Sequence, residues 1–297
     1  MKVLSFGSLN LDYVYAMDHF VQAGETIAAK DRSIHRGGKG LNQSVALALA
    51  GAETYHAGRI GTDGIMLKDW LVEKGVDVRF LETDESIPTG HAIIQVDPSG
   101  QNCIFILAGT NGSITEEFVD RALENFEAGD ILLLQNETSA RDYAIQAAAK
   151  KGLLVALNPS PMTDELAHSP ALKDVSYFIL NEIEGKAISG KTEPKEICET
   201  IRNLFPGAKV VLTLGGDGAM YYDGSEYLFH KAYSVKAVDT TAAGDTFTGF
   251  FLATLCSGGT PEEALARASK AAAITVTRPG ASDSIPSLEE VLQANLD

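Results

Sequence analysis

The run Asp239-Thr240-Thr241-Ala242-Ala243-Gly244-Asp245 leads straight into Thr246-Phe247-Thr248-Gly249-Phe250-Phe251-Leu252-Ala253, so small residues and an acid stand at the start of an apolar helix. The first turn of a helix carries N–H groups with no partner inside it and the positive end of the helix dipole. Ala242, Ala243 and Gly244 are small enough for a phosphoryl group to approach that backbone closely. A carboxylate at Asp245 would then stand beside the anion, where it could accept a proton from an attacking hydroxyl. Taken alone, the same acid serves equally well as a cap or as a charge that complements the helix dipole.

A second glycine turn, Gly37-Gly38-Lys39-Gly40-Leu41-Asn42-Gln43, precedes the Ala-rich helical pattern of residues 44 to 50. Glycine permits positive φ and lets a ligand reach the backbone, although a plain turn would look the same. It is not a Walker loop: the Gly-x-x-x-x-Gly-Lys-Ser/Thr spacing is absent and no hydroxyl residue follows Lys39. Asn181-x-x-Glu184 has the spacing of a helix capping box.

These segments need a scaffold, and the spacing predicts one. Apolar runs at 131–134, 153–157, 177–180 and 210–214 alternate with helix-type segments at 115–127, 139–151 and 193–204. Fully apolar strands separated by helices imply a parallel sheet covered on both faces, with ligands beyond the carboxyl ends of the strands. Residues 10–36 and 89–108 break this rhythm. The second of these reads as a hairpin around Asp97-Pro98-Ser99-Gly100. Together they are expected to form a small β-sheet lid, leaving 1–9, 37–88 and 109–297 as the main α/β domain.

The bulk properties narrow the class. With 297 residues and 45% hydrophobic content the chain can bury a large core. A formal net charge of −16 argues against a nucleic-acid partner, which needs clustered Lys and Arg, but leaves a nucleotide ligand open. Cys103, Cys198 and Cys256 are odd in number and lack Cys-x-x-Cys pairing, so the sequence suggests neither a disulfide framework nor a zinc site. No secretory signal pattern opens the chain and no membrane-length apolar run occurs, so a cytoplasmic protein with no membrane partner is expected. The histidines, at 19, 35, 56, 91, 168 and 230, show no metal-ligand spacing and read as surface or packing residues.

The double-glycine element and the Thr-Ala-Ala-Gly-Asp run resemble the two end motifs of the ribokinase family, the PfkB-type carbohydrate kinases. Further blocks agree in order: Gly7-Ser8-Leu9-Asn10-Leu11-Asp12, Gly24-Glu25-Thr26, Gly58 to Gly64, Asn181 to Glu184 and Thr213-Leu214-Gly215-Gly216-Asp217-Gly218. The resemblance implies a three-layer α/β/α domain with a β-sheet lid, and phosphoryl transfer from MgATP to the primary hydroxyl of a small sugar, ribose foremost. It implies that Asn10, Asp12, Gly38, Lys39, Asn42 and Glu137 hold the sugar, with Asp245 as base and Ala242 to Gly244 as the anion-binding helix start. It assigns Asn181, Thr213, Gly215, Gly218, Gly244 and Ser269 to ATP, and Glu184 to Mg²⁺ through water. The resemblance of residues 275–284 to the family's monovalent-cation loop also implies a potassium site at Asp239, the Thr241, Thr275, Arg278 and Gly280 carbonyls and the Ser284 hydroxyl, an all-oxygen set suited to a hard cation.

The chain also departs from the family pattern. Phe250 stands where a small residue is usual, and Ser269 and Lys270 stand where Asn and Ala are usual beside the adenine. Tyr13, Tyr15 and His91 fall in or near the lid, where sugar shape is read. A kinase for a nucleoside, fructose or another sugar, or a catalytically silent sugar-binding regulator, are the alternatives. A lid with edge strands offers a route to a homodimer.

Overall fold

The computed structural model describes residues 1–296 and contains two sheets. Its strands are β1 (Lys2–Phe6), β2 (Asn10–Ala16), β3 (Asp31–Gly37), β4 (Glu53–Gly61), β5 (Asp77–Asp84), β6 (Gly90–Val96) and β7 (Asn102–Leu107). There follow β8 (Ile131–Leu134), β9 (Leu154–Leu157), β10 (Tyr177–Asn181), β11 (Lys209–Thr213), β12 (Gly218–Tyr222) and β13 (Tyr227–Lys231). The large sheet has the order β13-β12-β11-β10-β9-β8-β1-β4-β5, parallel throughout except where β12 and β13 fold back antiparallel at one edge. That return was not among the strands expected from the sequence. Its turn is built by Asp223, whose Oδ1 accepts from the backbone N–H of Ser225 and of Glu226.

Side chains alternate between the faces of a strand, and each face of the large sheet has its own core. Val3, Ile131 and Leu133 join one cluster with Leu41, Val45, Phe247 and Phe251. Leu4, Leu132 and Leu134 join the other with Phe118, Ala144 and Ile197. Helices Lys39–Leu49, Ala243–Cys256 and Pro261–Thr275 therefore cover one face, and Glu116–Leu123, Arg141–Lys150 and Pro194–Leu204 the other. This is the three-layer arrangement that continuous apolar strands require.

The small sheet has the order β3-β2-β6-β7, with β2 parallel to β6 and the other pairs antiparallel. The expected hairpin joins β6 to β7, and Asp97 Oδ1 closes its turn by accepting from the backbone N–H of Ser99 and Gln101. β7 is an edge strand whose Ile104, Phe105, Ile106 and Leu107 are all exposed.

The contact that sets the site is the crossing of helices Lys39–Leu49 and Ala243–Cys256. A Cβ on Gly249 would lie 2.4 Å from Ala46 Cβ and 2.8 Å from Leu47 N, so glycine is what lets the helices touch through backbone. Phe250, next along, is fully buried in the core on the same face, so the larger side chain there is absorbed by packing. Gly249→Ala is expected to destabilise the protein by roughly 1–3 kcal/mol, because neither helix backbone can yield without shifting the other. Urea unfolding measures this, and a loss below about 0.5 kcal/mol would show that the crossing relaxes freely.

Candidate active site

Asp245 sits in the first turn of the Ala243–Cys256 helix and is 7% exposed. The N-cap is Ala242, held at φ 60 in the left-handed region, and no side chain caps the helix. The capping alternative therefore does not describe Asp245. Its carboxylate turns toward the neighbouring helix, where Asn42 Nδ2 donates to Oδ2 at 3.0 Å and Gln43 Nε2 donates to Oδ1 at 2.8 Å. The uncapped N–H groups face a cleft of about 200 Å³ bordered by Lys39, Asn181, Glu184, Gly244 and Asp245. A larger, mainly apolar cleft of about 380 Å³ adjoins it, sharing Thr213, Thr240, Ala243 and Gly244. Gly215, Gly218 and Ser269 border that second cleft, and Tyr233, Val235, Phe247 and Val276 supply apolar walls. Polar and apolar compartments joined at a helix N-terminus suit phosphates on one side and a flat base on the other.

On the other side of Asp245 two more acids gather. Asp12 lies against Gly37, where an added Cβ would come within 2.1 Å of Asp12 Oδ2. Burial, then the negative charge of Glu137, pushes the Asp12 carboxyl up to about 6. Glu137 Oε2 accepts from the Ser8 hydroxyl and from Lys39 N at 3.1 Å. Burial still drives the Glu137 carboxyl above its ordinary value, with Asp245 adding to the push against those hydrogen bonds and the Lys39 charge. Asn10 is buried and its Oδ1 accepts from Asn111 Nδ2 at 2.8 Å. Asn42 is 5% exposed, and its Oδ1 is buried with no hydrogen-bond partner among the described residues. Crowded carboxylates and an unmet amide oxygen form a site starved of donors, which a polyol can supply.

The glycines divide by cause. Gly38 has φ +97 and a Cβ there would meet Ser8 O at 2.8 Å, while a Cβ on Gly40 would lie 2.4 Å from Gly7 C and Ser8 N. At Gly40 close backbone packing, rather than room for a ligand, requires the glycine. A Cβ on Gly218 would strike His230 O at 2.1 Å, so β13 imposes that glycine, whereas Gly215 stands in open space at φ +54.

Asn181 and Glu184 do form the capping box: Glu184 N donates to Asn181 Oδ1 at 2.9 Å and Asn181 N to Glu184 Oε2 at 3.0 Å. Both residues nevertheless border the polar cleft, and Glu184 is only 6% exposed. Glu184 Oε1 accepts no hydrogen bond among the described residues. The two readings of this pair are compatible, since capping uses one carboxylate oxygen and leaves the other.

The segments around Asp239 and Gly280 meet. Val238 N donates to Val276 O at 2.7 Å, Gly280 N donates to Asp239 Oδ2 at 3.0 Å, and Thr241 N donates to Asp239 Oδ1 at 2.9 Å. Thr275 O accepts from Arg278 N at 3.1 Å, the Arg278 side chain pairs with Glu290, and the Ser284 hydroxyl donates to Ala281 O. Tyr13, Tyr15 and His91 lie in the small sheet, and strand geometry fixes their face. Asp12 pairs across the small sheet with His35 and Ala92, whereas Tyr13 pairs with Ile34 and Ile93. Alternation puts Tyr13, Tyr15 and His91 on the face opposite Asp12, with Tyr13 packed edge-on against His91.

The profile of the pfkB family carbohydrate kinases matches residues 1–288. The chain belongs to the pfkB family of carbohydrate kinases. A ribokinase of Haemophilus influenzae is 35% identical over 298 residues, covering 97% of this chain and 96% of that protein. A ribokinase structure from Cryptococcus neoformans in complex with ADP superposes with TM-score 0.88 at 32% identity, covering 98% and 99% of the two chains. A ribokinase from Arabidopsis thaliana complexed with ribose and ATP gives TM-score 0.84 at 30% identity, covering 98% and 97%. The chain is an ATP-dependent sugar kinase with a ribokinase-like fold.

The candidate site of this pfkB-family chain also contains residues to which sequence reasoning gave no role. Gln43 is fully buried beside Asp245, and Asn158 and Thr248 border the polar cleft. Gln135 and Asn158 each follow directly on the last residue of an apolar strand, β8 and β9. A polar residue at the carboxyl end of a parallel strand is the signal that could have found them. The walls at Tyr233 and Val235 lie in an irregular stretch and give no such signal.

Asp12 supplies a pH-dependent outcome. Its carboxyl is raised in the folded state, so its contribution is fully present below about pH 4 and is lost as pH rises through about 6. Asp12→Asn should therefore stabilise the unliganded protein by about 1–2 kcal/mol at pH 8 and by almost nothing at pH 4. Urea unfolding at both pH values checks this, and an equal effect at both would refute it.

Proposed function

We propose that this chain is a ribokinase, transferring the γ-phosphate of MgATP to the primary hydroxyl of D-ribose. The observation that carries the reading is Asp245 itself. Its carboxylate is buried at an uncapped helix start, held by two amides, between a phosphate-sized cleft and a group of donor-hungry acids. The similarity to ribokinases over nearly the whole chain supports ribose as the sugar.

In this reading the sugar hydroxyls donate to Asp12 and Glu137 and to the unmet Oδ1 of Asn42, with Asn10, Gly38 and Lys39 completing the wall. The O5–H proton passes to Asp245 as the O5–P bond forms and the bond from the γ-phosphorus to the ADP oxygen breaks, giving ribose 5-phosphate and ADP. Lys39 and the N–H groups at Ala242 to Gly244 take up the developing phosphoryl charge. Thr213, Gly215, Gly218 and Ser269 bound the adenosine, with Asn181 beside the phosphates. A Mg²⁺ ion held through water by the open oxygen of Glu184 fits its habit of binding through few carboxylates plus phosphates. When bound it would neutralise phosphate charge. The oxygen-rich loop of Asp239, Thr241, Thr275, Arg278, Gly280 and Ser284 fits a potassium ion, with Asp239 tying its two strands of chain together.

Residues 10–36 and 89–108, which carry the small sheet, act as the lid, and its closure limits hydrolysis of ATP by water. Its exposed apolar edge strand β7 fits pairing with a second copy of the chain. Free cysteines at 103, 198 and 256 fit a reducing cytoplasm.

Asp245→Asn should lower turnover by roughly 10²-fold or more while ribose affinity stays within a few-fold, as loss of a general base requires. A coupled ADP-release assay with calorimetry of ribose binding tests this, and near-normal turnover would sink the mechanism. The same assay over ribose, deoxyribose, fructose and nucleosides should rank ribose first, and it should run several-fold faster in potassium than in tetramethylammonium. A faster rate with any other member of the panel would overturn the ribose assignment. For assembly, sedimentation should show a dimer that Ile106→Asp converts to monomer; a monomeric wild type would remove the lid interface.

A further inference from the structure

Below the reacting surface lies a chain of three amides that the roles above do not use. Gln43 is fully buried. Its Oε1 accepts from Gln135 Nε2 at 2.6 Å, and its Nε2 donates one hydrogen to Asn158 Oδ1 at 3.0 Å and the other to Asp245 Oδ1 at 2.8 Å. Asn158 is fixed in turn, because its Nδ2 donates to Ile179 O at 2.9 Å and so turns its oxygen toward Gln43. The direction of every amide is thereby settled. An ionised carboxylate only accepts, so Gln43 must face Asp245 with its NH₂ group, and Gln135 must face Gln43 with its own. Gln135 does this although its Oε1 is left buried without a partner among the described residues.

We infer that Gln43 is a positioning residue for phosphoryl transfer, holding the Asp245 carboxylate in the plane from which it accepts the sugar proton. The inference rests on Asp245 being the base. Without Gln43 the only remaining side-chain donor to that carboxylate among the described residues is Asn42, on Oδ2, about which the carboxylate can swing. The uncapped N–H groups of its own helix would then compete for it, as they do for acids at most helix starts. Gln135 follows β8, Asn158 follows β9 and Ile179 lies within β10, so Gln43 ties the base to three neighbouring strands, two of them at their ends. A side chain so tied moves little, and a base held within about half an ångström of its productive position is what general-base catalysis requires.

The test compares Gln43→Met, which keeps the volume and removes every hydrogen bond, with Gln135→Met, which releases Gln43 from the far end without touching Asp245. Gln43→Met should lower kcat by about 10- to 100-fold with KM for ribose and ATP within about threefold. The acidic limb of its kcat profile should move upward, since a lost donor favours the protonated acid. Gln135→Met should give a smaller loss, about fivefold, with the same direction of shift. Circular dichroism and ribose calorimetry accompany each variant. Should Gln43→Met not fold, Gln135→Met decides alone. A kcat within threefold and an unmoved profile in the folded variants would overturn the inference, as would a loss confined to KM. Asp245→Asn in the same assay separates the two claims: if it is inactive while Gln43→Met is normal, the base stands and the positioning role falls. If Asp245→Asn stays active, the base assignment itself falls.

Discussion

The site depends on two helices touching through backbone. Gly249 against Ala46 brings the Lys39–Leu49 helix close enough for Asn42 and Gln43 to reach Asp245, which lies 203 and 202 residues away along the chain. A side chain at that crossing would hold the helices apart, and interaxial distance is set by what stands at the contact. Hydrogen bonds of 2.8 and 3.0 Å do not survive an added ångström of separation. The fold therefore fixes the base in part through a glycine about one helical turn from Asp245, a residue given no contact with substrate.

The second constraint is electrostatic. Asp12, Glu137 and Asp245 would not be gathered by a protein selected for stability alone, because burial and mutual repulsion raise the Asp12 and Glu137 carboxyls. The arrangement makes sense when a polyol brings hydroxyl donors to them. The unmet oxygen of Asn42 belongs to the same account. Energy stored in unsatisfied acceptors before binding is recovered as differential affinity for the ligand that satisfies them.

Much of this was legible in the residues. Apolar runs and their spacing gave strands and helices at nearly the observed places, since a strand buried on both faces must be apolar along its whole length. The Asp97 hairpin was legible because Asp, Pro, Ser and Gly carry turn geometry locally. The β12–β13 return was not, because a short antiparallel edge has no helix to announce it. Tyr13 and His91 lie in the small sheet as expected, but their face of it was not legible, since a difference of one residue in a strand reverses the direction of the side chain.

The sequence by itself determined the parts that are local or collinear: the helix start at Ala242 to Asp245, the capping box of Asn181 and Glu184, the glycine turn at Gly38, and the ordered motifs that mark a pfkB carbohydrate kinase. Only the tertiary structure decided what Asp245 does with its carboxylate. An acid in the first turn of a helix has two low-energy uses, and capping is the local one. Asn42 and Gln43 drew it to the other, and nothing in the neighbouring residues encodes a donor that arrives from two hundred positions away.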